Sequence, residues 1–199
     1  MRAARLTTVS ATLTIIVNRI VSCKKGGSIV PIHMKENICA ALVRLLDHRD
    51  IRKITVKDLV QECAISRQSF YYHFRDLQEV IRFVIRHELR SRFRPEDGID
   101  ALCTALAELA YSDLLGKLLA DRDASAERAL LDEICALLSD LLQMPTSQFR
   151  VPISDAAVLA EFCGCGIVGL MLRSRRWEIS DPTLLAERLR QALSHIRVA

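Results

Sequence analysis

Apolar residues recur at intervals of three and four along the chain from residue 35 onward. Ile38, Leu42 and Leu45 follow this spacing and predict an amphipathic helix that starts at Lys35 and ends near Asp47. Leu, Ala, Ile and Val are frequent, aromatic residues make up 5% of the chain, and only 7 Gly and 5 Pro are present. These features disfavour a sandwich or barrel of strands, and the fold class that we predict is all-α.

Capping residues divide the region that follows into shorter helices. Thr55 is suited to cap a helix of two turns, and Asp58 favours the positive end of that helix. After a tight break at Ala64-Ile65, Ser66 is suited to cap a second short helix. Asp76 can open a longer fourth helix, which is predicted to end before the next proline.

The rest of the chain is predicted to be helical as well. Ser154 and Asp181 are suited to cap the last two helices, with Pro182 at a first helical position. A loop with two prolines is predicted over 144–152. The helices of this part are predicted over 99–119 (one helix or two), 124–142, 154–174 and 181–196.

Charge is distributed unevenly along the 199 residues, which are 50% hydrophobic and therefore not those of a disordered chain. Residues 1–34 contain 5 basic and 0 acidic residues, residues 35–94 contain 13 and 8, and residues 95–199 contain 10 and 16. The front of the chain is therefore basic and the back acidic. This asymmetry suggests that the front binds an anion, with nucleic acid as the leading candidate.

The seven cysteines are odd in number, and most lie within helical apolar patterns, where a thiol behaves as a small hydrophobe. This usage indicates the reducing cytoplasm. Cys163 and Cys165 form the one close pair, but they lack the two-residue spacing and the second pair of a zinc site. The glycines at 164, 166 and 169 spell a dinucleotide fingerprint without the strand that should precede it. We predict no metal, no cofactor and, since no catalytic group is assembled, no enzyme.

Residues 1–33 are predicted to be an N-terminal extension. The apolar run from Leu6 to Val21 lies behind two arginines and imitates an export signal, but Asn18 and Arg19 interrupt it. Its 16 residues also fall short of the roughly 20 that a membrane-spanning helix needs, so no membrane partner is expected. Because Met34 precedes the first patterned helix, a mis-assigned start codon, a flexible tail and a short amphipathic arm all fit.

The two short helices, with longer ones on either side, form the frame of a helix-turn-helix unit whose second short helix can enter the major groove of DNA. On that helix, Arg67 can form two hydrogen bonds with guanine and Gln68 can do the same with adenine. Thr55 and Lys57, at the start of the preceding helix, suit a phosphate. The side chains suited to phosphates or a thymine methyl are Ser69, Tyr71, Tyr72 and His73. Adjacent tyrosines point about 100° apart on a helix, and we expect Tyr72 to be the more exposed.

The segment from Thr55 to Phe74, TVKDLVQECAISRQSFYYHF, resembles the DNA-binding signature of the tetracycline-repressor (TetR) family. The resemblance covers about residues 35–80. It implies an all-helical dimer that binds a palindromic operator on double-stranded DNA and carries a helical C-terminal domain for an inducer and for dimerisation. The positions that it implies as DNA contacts are Lys57, Arg67, Gln68, Ser69, Tyr71, Tyr72 and His73.

The chain departs from the family pattern at two positions. Ala64 replaces the usual Gly of the turn, a mild change if its φ is negative. Leu77 replaces a lysine that often follows the recognition helix, which leaves Arg75 as the substitute phosphate contact. The DNA interface that we predict comprises Thr55, Lys57, Ser66, Arg67, Gln68, Ser69, Tyr71, Tyr72, His73 and Arg75.

The C-terminal part resembles a branch of the same family that includes dihydroxyacetone-kinase regulators. The resemblance is carried by FCGCGIVGL at 162–170, Trp177 and Asp181-Pro182. It implies that the last two helices form the four-helix bundle of a homodimer, with Gly164, Gly166 and Gly169 allowing close contact. In that branch the effector can be a protein instead of a small molecule.

Two further features of the second half have ordinary structural explanations. Arg82, Arg86 and Arg90 recur at intervals of four and are interpreted as a solvated helix face. The apolar residues that an effector pocket would use are explained equally well as core. They are Leu102, Cys103, Leu106, Tyr111, Leu138, Phe149, Phe162 and Met171.

The resulting prediction is a cytoplasmic regulator with an extension over 1–33, a helix-turn-helix domain over 34–80 and an effector and dimerisation domain over 81–199. It is predicted to repress transcription until an unknown effector, a small molecule or a protein, releases it. The alternatives are a transcriptional activator and a protein-interaction module with a vestigial helix-turn-helix.

Overall fold

The computed structural model describes residues 31–119, 124–144, 153–174 and 181–194. Within these residues the chain forms nine α-helices, two short 3-10 turns and no strand, which confirms the all-α prediction. The helices are α1 (Pro31–Leu46), α2 (Val56–Glu62), α3 (Arg67–His73), α4 (Leu77–Arg92), α5 (Gly98–Ala110), α6 (Asp113–Leu118), α7 (Ala124–Gln143), α8 (Ile153–Ser174) and α9 (Pro182–Ser194). Residues 1–30, most of the predicted proline loop with Phe149, and Trp177 lie outside the described residues.

The chain divides into two compact units between Val80 and Ile81. The first unit contains α1, α2, α3 and the first four residues of α4. Helix α1 begins at Pro31, four residues before the predicted start. Proline fits the first turn of a helix because its missing N–H would have no partner there and its fixed φ is already helical.

The core of the first unit is built on the apolar faces that the spacing predicts. Ile38 and Leu42 of α1, Leu59 of α2 and Phe70 of α3 are completely buried, and Phe74 is nearly so. The rings of Phe70 and Phe74 lie 6.1 Å apart, centroid to centroid. Helix α2 packs against α1, and α3 packs against α2. The two short helices depend on this packing, because helices of seven residues are too short to be stable alone.

The second unit contains the remainder of α4 and the helices from α5 to α9. Helix α7 packs along α8, and α5 packs along α9. The region predicted as one helix or two over 99–119 forms two helices, α5 and α6. The break falls at Ser112, whose hydroxyl caps α6 by accepting a hydrogen bond from the Leu115 amide at 3.2 Å.

The arginine stripe of α4 is more than a solvated face. Arg86 donates two hydrogen bonds, of 2.8 and 2.9 Å, to the carboxylate of Glu133 on α7, and Glu133 is almost fully buried. Arg82 lies 3.7 Å from Asp132, and Arg90 lies 3.9 Å from Asp140, about two turns further along α7. A ladder of ion pairs therefore joins α4 to α7, with its strongest rung at Arg86.

The glycines of α8 differ in their surroundings. A Cβ atom on Gly164 would lie 2.5 Å from Sγ of Cys135 on α7, so this glycine serves a close contact within the protomer. The expectation that it lies between protomers is thus wrong for Gly164, because the packing of α7 already uses its missing side chain. A Cβ on Gly166 or Gly169 would meet no atom of the described residues within 4 Å.

A narrow apolar cleft lies among α5, α7, α8 and α9. Its free space is about 20 Å³, room for one water molecule, and its lining exposes no polar atom. The residues that line it are Ile99, Leu138, Leu141, Leu142, Leu159, Cys163 and Leu193. Of the apolar residues considered for an effector pocket, Leu138 lines this cleft, whereas Leu102, Cys103, Leu106 and Met171 are buried core and Phe162 is 75% exposed.

Candidate nucleic-acid interface

Helix α2 begins with the capping arrangement that the sequence predicts. The Thr55 hydroxyl accepts a hydrogen bond from the Asp58 amide at 3.3 Å, and the Asp58 carboxylate accepts one from the Thr55 amide at 2.8 Å. Asp58 also accepts a hydrogen bond from Arg49 at 2.8 Å. The hydrogen bonds from Thr55, supported by Arg49, lower the pKa of the Asp58 carboxyl below its ordinary value. The carboxylate is therefore bound within the unit and does not pair with neighbouring Lys57.

The turn after α2 has the hydrogen bonds of a Schellman motif. The Ile65 amide donates to the Val60 carbonyl and the Ala64 amide donates to the Gln61 carbonyl, both at 3.1 Å. This motif places its penultimate residue in the left-handed region, and Ala64 has φ of 53°. The substitution of Ala for Gly is thus not mild, because the condition of a negative φ is not met and the methyl group is strained there.

Helix α3 starts at a serine cap, as predicted. The hydroxyl of Ser66 accepts a hydrogen bond from the Ser69 amide at 3.0 Å. Phe70, one turn into the helix, points into the core. Ser66 therefore fixes where α3 begins, and Phe70 fixes which face of α3 is directed outward.

The outward face of α3 exposes four of the predicted contact residues. Arg67 and Gln68, in the first turn, are exposed. Tyr72 is 82% exposed and Tyr71 56% exposed, which confirms the expected order. The Tyr71 ring packs edge-on against Phe70 with centroids 5.4 Å apart, so part of this tyrosine supports the core. Ser69 and His73, by contrast, are half-buried.

Ion pairs within the first unit occupy many of its cations. Arg44 binds Glu62 at 2.7 Å and Arg49 binds Asp58 at 2.8 Å. Arg75, the expected substitute for the missing lysine, lies 3.6 Å from Glu79, and the Arg75 amide donates to the same carboxylate at 2.7 Å. The carboxylate of Glu79 thus balances part of the positive charge of Arg75. Of the cations in the predicted interface, Arg75 is therefore the least available to a phosphate.

Lys57 and Arg67 differ from the cations that form ion pairs within the first unit. Both are exposed, and in the described part of the chain neither has an acidic partner. A short helix that presents a guanidinium, an amide and a phenol away from a packed core, beside a helix start with a free lysine, has the donors that base edges and phosphates accept. The fold and this surface define a helix-turn-helix DNA-binding unit.

Comparison with known proteins identifies a family whose DNA-binding domain the unit resembles. Residues 38–82 match the family model for bacterial regulatory proteins of the tetR family. The match runs from residue 38, within α1, to the first turns of α4, and it includes the Schellman turn and the whole of α3. Over these residues the chain is therefore similar to the DNA-binding domain of tetR-family regulators.

Two solved structures align with most of the chain. The dihydroxyacetone kinase operon activator DhaS aligns with a TM-score of 0.59 and 19% identity over 83% of this chain and 97% of that one. The TetR family repressor AlkX from Dietzia sp. strain DQ12-45-1b, implicated in biodegradation of n-alkanes, aligns with a TM-score of 0.48 and 18% identity over 82% of this chain and 99% of that one. No curated protein sequence matches the chain significantly. The likeness to DhaS shows a shared fold.

Proposed function

We propose that this protein is a cytoplasmic, dimeric transcription regulator that reads a two-fold symmetric operator with α3. The observation that carries the proposal is the exposed surface of α3, where Gln68 and Tyr72 lie opposite the buried Phe70 and Arg67 is exposed in the first turn. An α-helix with this division can lie in the major groove while its other side stays in the core. Two copies in a symmetric dimer would place their α3 helices about 34 Å apart, one turn of DNA.

Each side chain of this surface has a distinct task in the proposal. Arg67 donates two hydrogen bonds to a guanine edge, and Gln68 pairs with an adenine. Tyr72 and Tyr71 reach phosphates or a thymine methyl, since a phenol offers both a donor and an apolar ring. Ser69 and His73, which are half-buried, donate hydrogen bonds to phosphates. Thr55, Lys57 and Arg75 bind phosphates, and Ser66 contributes by fixing the start of α3.

The dimer is proposed to form through α8 and α9. Helix α8 exposes Val158 (70%), Phe162 (75%) and Leu170 (39%), and α9 exposes Leu184 (40%). Spacing by four aligns Val158, Phe162, Gly166 and Leu170 in one row. Since Gly166 has open space at its Cβ position, the backbone of a partner helix can approach the row there.

The same helix is long and apolar enough, from Asp155 to Arg173, to span a membrane by composition alone. Its other side packs against α7, with Ala156, Ala160 and Met171 buried. A helix with one buried face and one exposed apolar row suits a helical bundle of two protomers, and we assign the row to a second copy of this chain.

Regulation is proposed to act through the second unit. An effector that binds this unit better in one of its conformations would lower operator affinity by the ratio of its affinities for the two states. The narrow cleft, which has room for one water, would have to widen for a small molecule, whereas a protein effector would bind outside. Repression relieved by the effector is the mode that we propose, and activation uses the same DNA contacts.

Selection of duplexes from a randomised DNA pool at near-physiological salt tests this function. The full chain is compared with Tyr72→Ala, a change that leaves the core intact because Tyr72 is 82% exposed. Enrichment of a two-fold symmetric site by the wild-type chain, and its loss in the variant, is the expected result. A folded dimer that enriches no sequence would favour the protein-interaction module with a vestigial helix-turn-helix.

A further inference from the structure

The cations of the first unit fall into two groups. Most are engaged within the unit: Arg44, Arg49, Arg52 and Arg75 lie against carboxylates, and Lys35 lies 5.4 Å from the centre of the Phe74 ring. Three exposed cations have no such partner among the residues that the structure describes, namely Lys53, Lys57 and Arg67. Lys57 and Arg67 are residues of the proposed DNA interface. Lys53 is likewise exposed and without an acidic partner among the described residues, although the sequence pattern did not point to it.

The backbone of Lys53 is held in a fixed place. It ends a 3-10 turn, Ile51–Lys53, in which the Lys53 amide donates to the Asp50 carbonyl at 3.0 Å. Ile51, the first residue of this turn, and Ile54, the residue after it, are 2% and 3% exposed and anchor it in the core. The anchored turn leads directly into Thr55, the cap of α2, so Lys53 and Lys57 stand on either side of the same helix start.

The neighbouring Arg52 provides a contrast. It is exposed and carries the same charge, but its guanidinium lies 3.4 Å from Oδ2 of Asp50, and its amide donates to Oδ1 of that carboxylate at 2.9 Å. The positive charge of Arg52 is therefore partly balanced inside the turn. The charge of Lys53 is not, and a phosphate would be its first anionic partner.

We propose that Lys53 is a further phosphate-binding residue, which positions α2 on the DNA backbone together with Lys57. The inference rests on the proposed function and extends its contact surface from the start of α2 to the turn before it. A lysine that binds a phosphate releases condensed counterions, so its removal lowers the salt dependence of binding and leaves sequence preference unchanged.

The test measures operator affinity of the full chain against salt concentration for the wild type, Lys53→Gln, Lys53→Arg and Arg52→Gln. Each lost phosphate contact reduces the slope of log K against log salt by about 0.9. A dimer that loses one contact per protomer should therefore lose about 1.8 in slope with Lys53→Gln. The loss should be equal on the selected site and on an unrelated duplex, because phosphates carry no sequence information.

The control variants complete the test. Lys53→Arg should retain the wild-type slope, and Arg52→Gln should change it by less than half as much as Lys53→Gln. A wild-type slope in Lys53→Gln, or equal losses in the Arg52 and Lys53 variants, would overturn the inference while the DNA-binding function stood. A wild-type chain that binds no duplex would overturn both, and thermal unfolding of each variant separates loss of contact from loss of fold.

Discussion

Ala64 offers a direct test of how the helix-turn-helix is built. It stands in the Schellman motif that ends α2, with φ of 53°, and is exposed, so its methyl group makes no core contact that a substitution would lose. Ala64→Gly therefore changes the backbone preference and little else. Glycine adopts a positive φ without the clash between Cβ and the following carbonyl.

The size of the effect follows from two opposing contributions. The left-handed conformation costs an L-residue roughly 1–2 kcal/mol, which Ala64→Gly removes. Glycine gives the unfolded chain more freedom, which costs about 0.4–1 kcal/mol. The net expectation is that the first unit becomes more stable by about 0.5–1 kcal/mol, or about two- to fivefold in the equilibrium between its closed and open states.

Amide hydrogen exchange in α2 and α3 is the appropriate assay, because it reports the opening of this unit separately from the rest of the chain. Exchange in Ala64→Gly should be slower by the stated factor. Gln61, which is exposed in the last turn of α2, provides the control. Gln61→Gly should be less stable than Gln61→Ala by about 0.5–1 kcal/mol, and its amides should therefore exchange faster. Unchanged or faster exchange in Ala64→Gly would refute the account of a strained turn.

Three other predictions test the second unit. Arg86→Ala should lower the free energy of unfolding in urea by about 2 kcal/mol, because it leaves the buried carboxylate of Glu133 without its partner. Arg82→Ala should lower it by less than about 0.5 kcal/mol. Equal losses would contradict the assignment of Arg86 as the strongest ion pair between α4 and α7. Gly164→Ala should lower the free energy of unfolding by about 1–3 kcal/mol, and adding Cys135→Ala should restore most of that stability. No recovery would show that the new methyl group does not clash with Cys135. Phe162→Asp should sediment as a folded monomer, and a stable dimer would exclude the proposed interface.

Local features of the fold were predictable because the information lies within a few residues of sequence. Thr55, Ser66 and Asp76 cap the helices they were expected to cap, and their hydroxyl or carboxylate oxygens accept hydrogen bonds from amides three residues later. The greater exposure of Tyr72 than of Tyr71 followed from helical geometry alone. Sequence thus defined both the elements of the helix-turn-helix and the outward face of α3.

Features that depend on distant residues were not predictable in this way. The pairing of Arg86 with Glu133 joins residues 47 positions apart, and the use of Gly164 against Cys135 depends on how two helices cross. The φ of Ala64 also escaped, since alanine favours a negative φ and the surrounding hydrogen bonds override that preference. The engagement of Arg75 and the free charge of Lys53 likewise became visible only once the ion pairs were known.

The central claim, that α3 reads DNA sequence, is tested most directly by a base-pair scan of the selected operator. Affinities of the wild type, Arg67→Ala and Lys57→Ala are measured by fluorescence anisotropy on every single substitution of the site. The account predicts that Arg67→Ala loses about 1–3 kcal/mol of discrimination at one base pair in each half-site. Lys57→Ala should weaken binding uniformly. Uniform weakening by Arg67→Ala as well, with base preferences unchanged, would contradict the account.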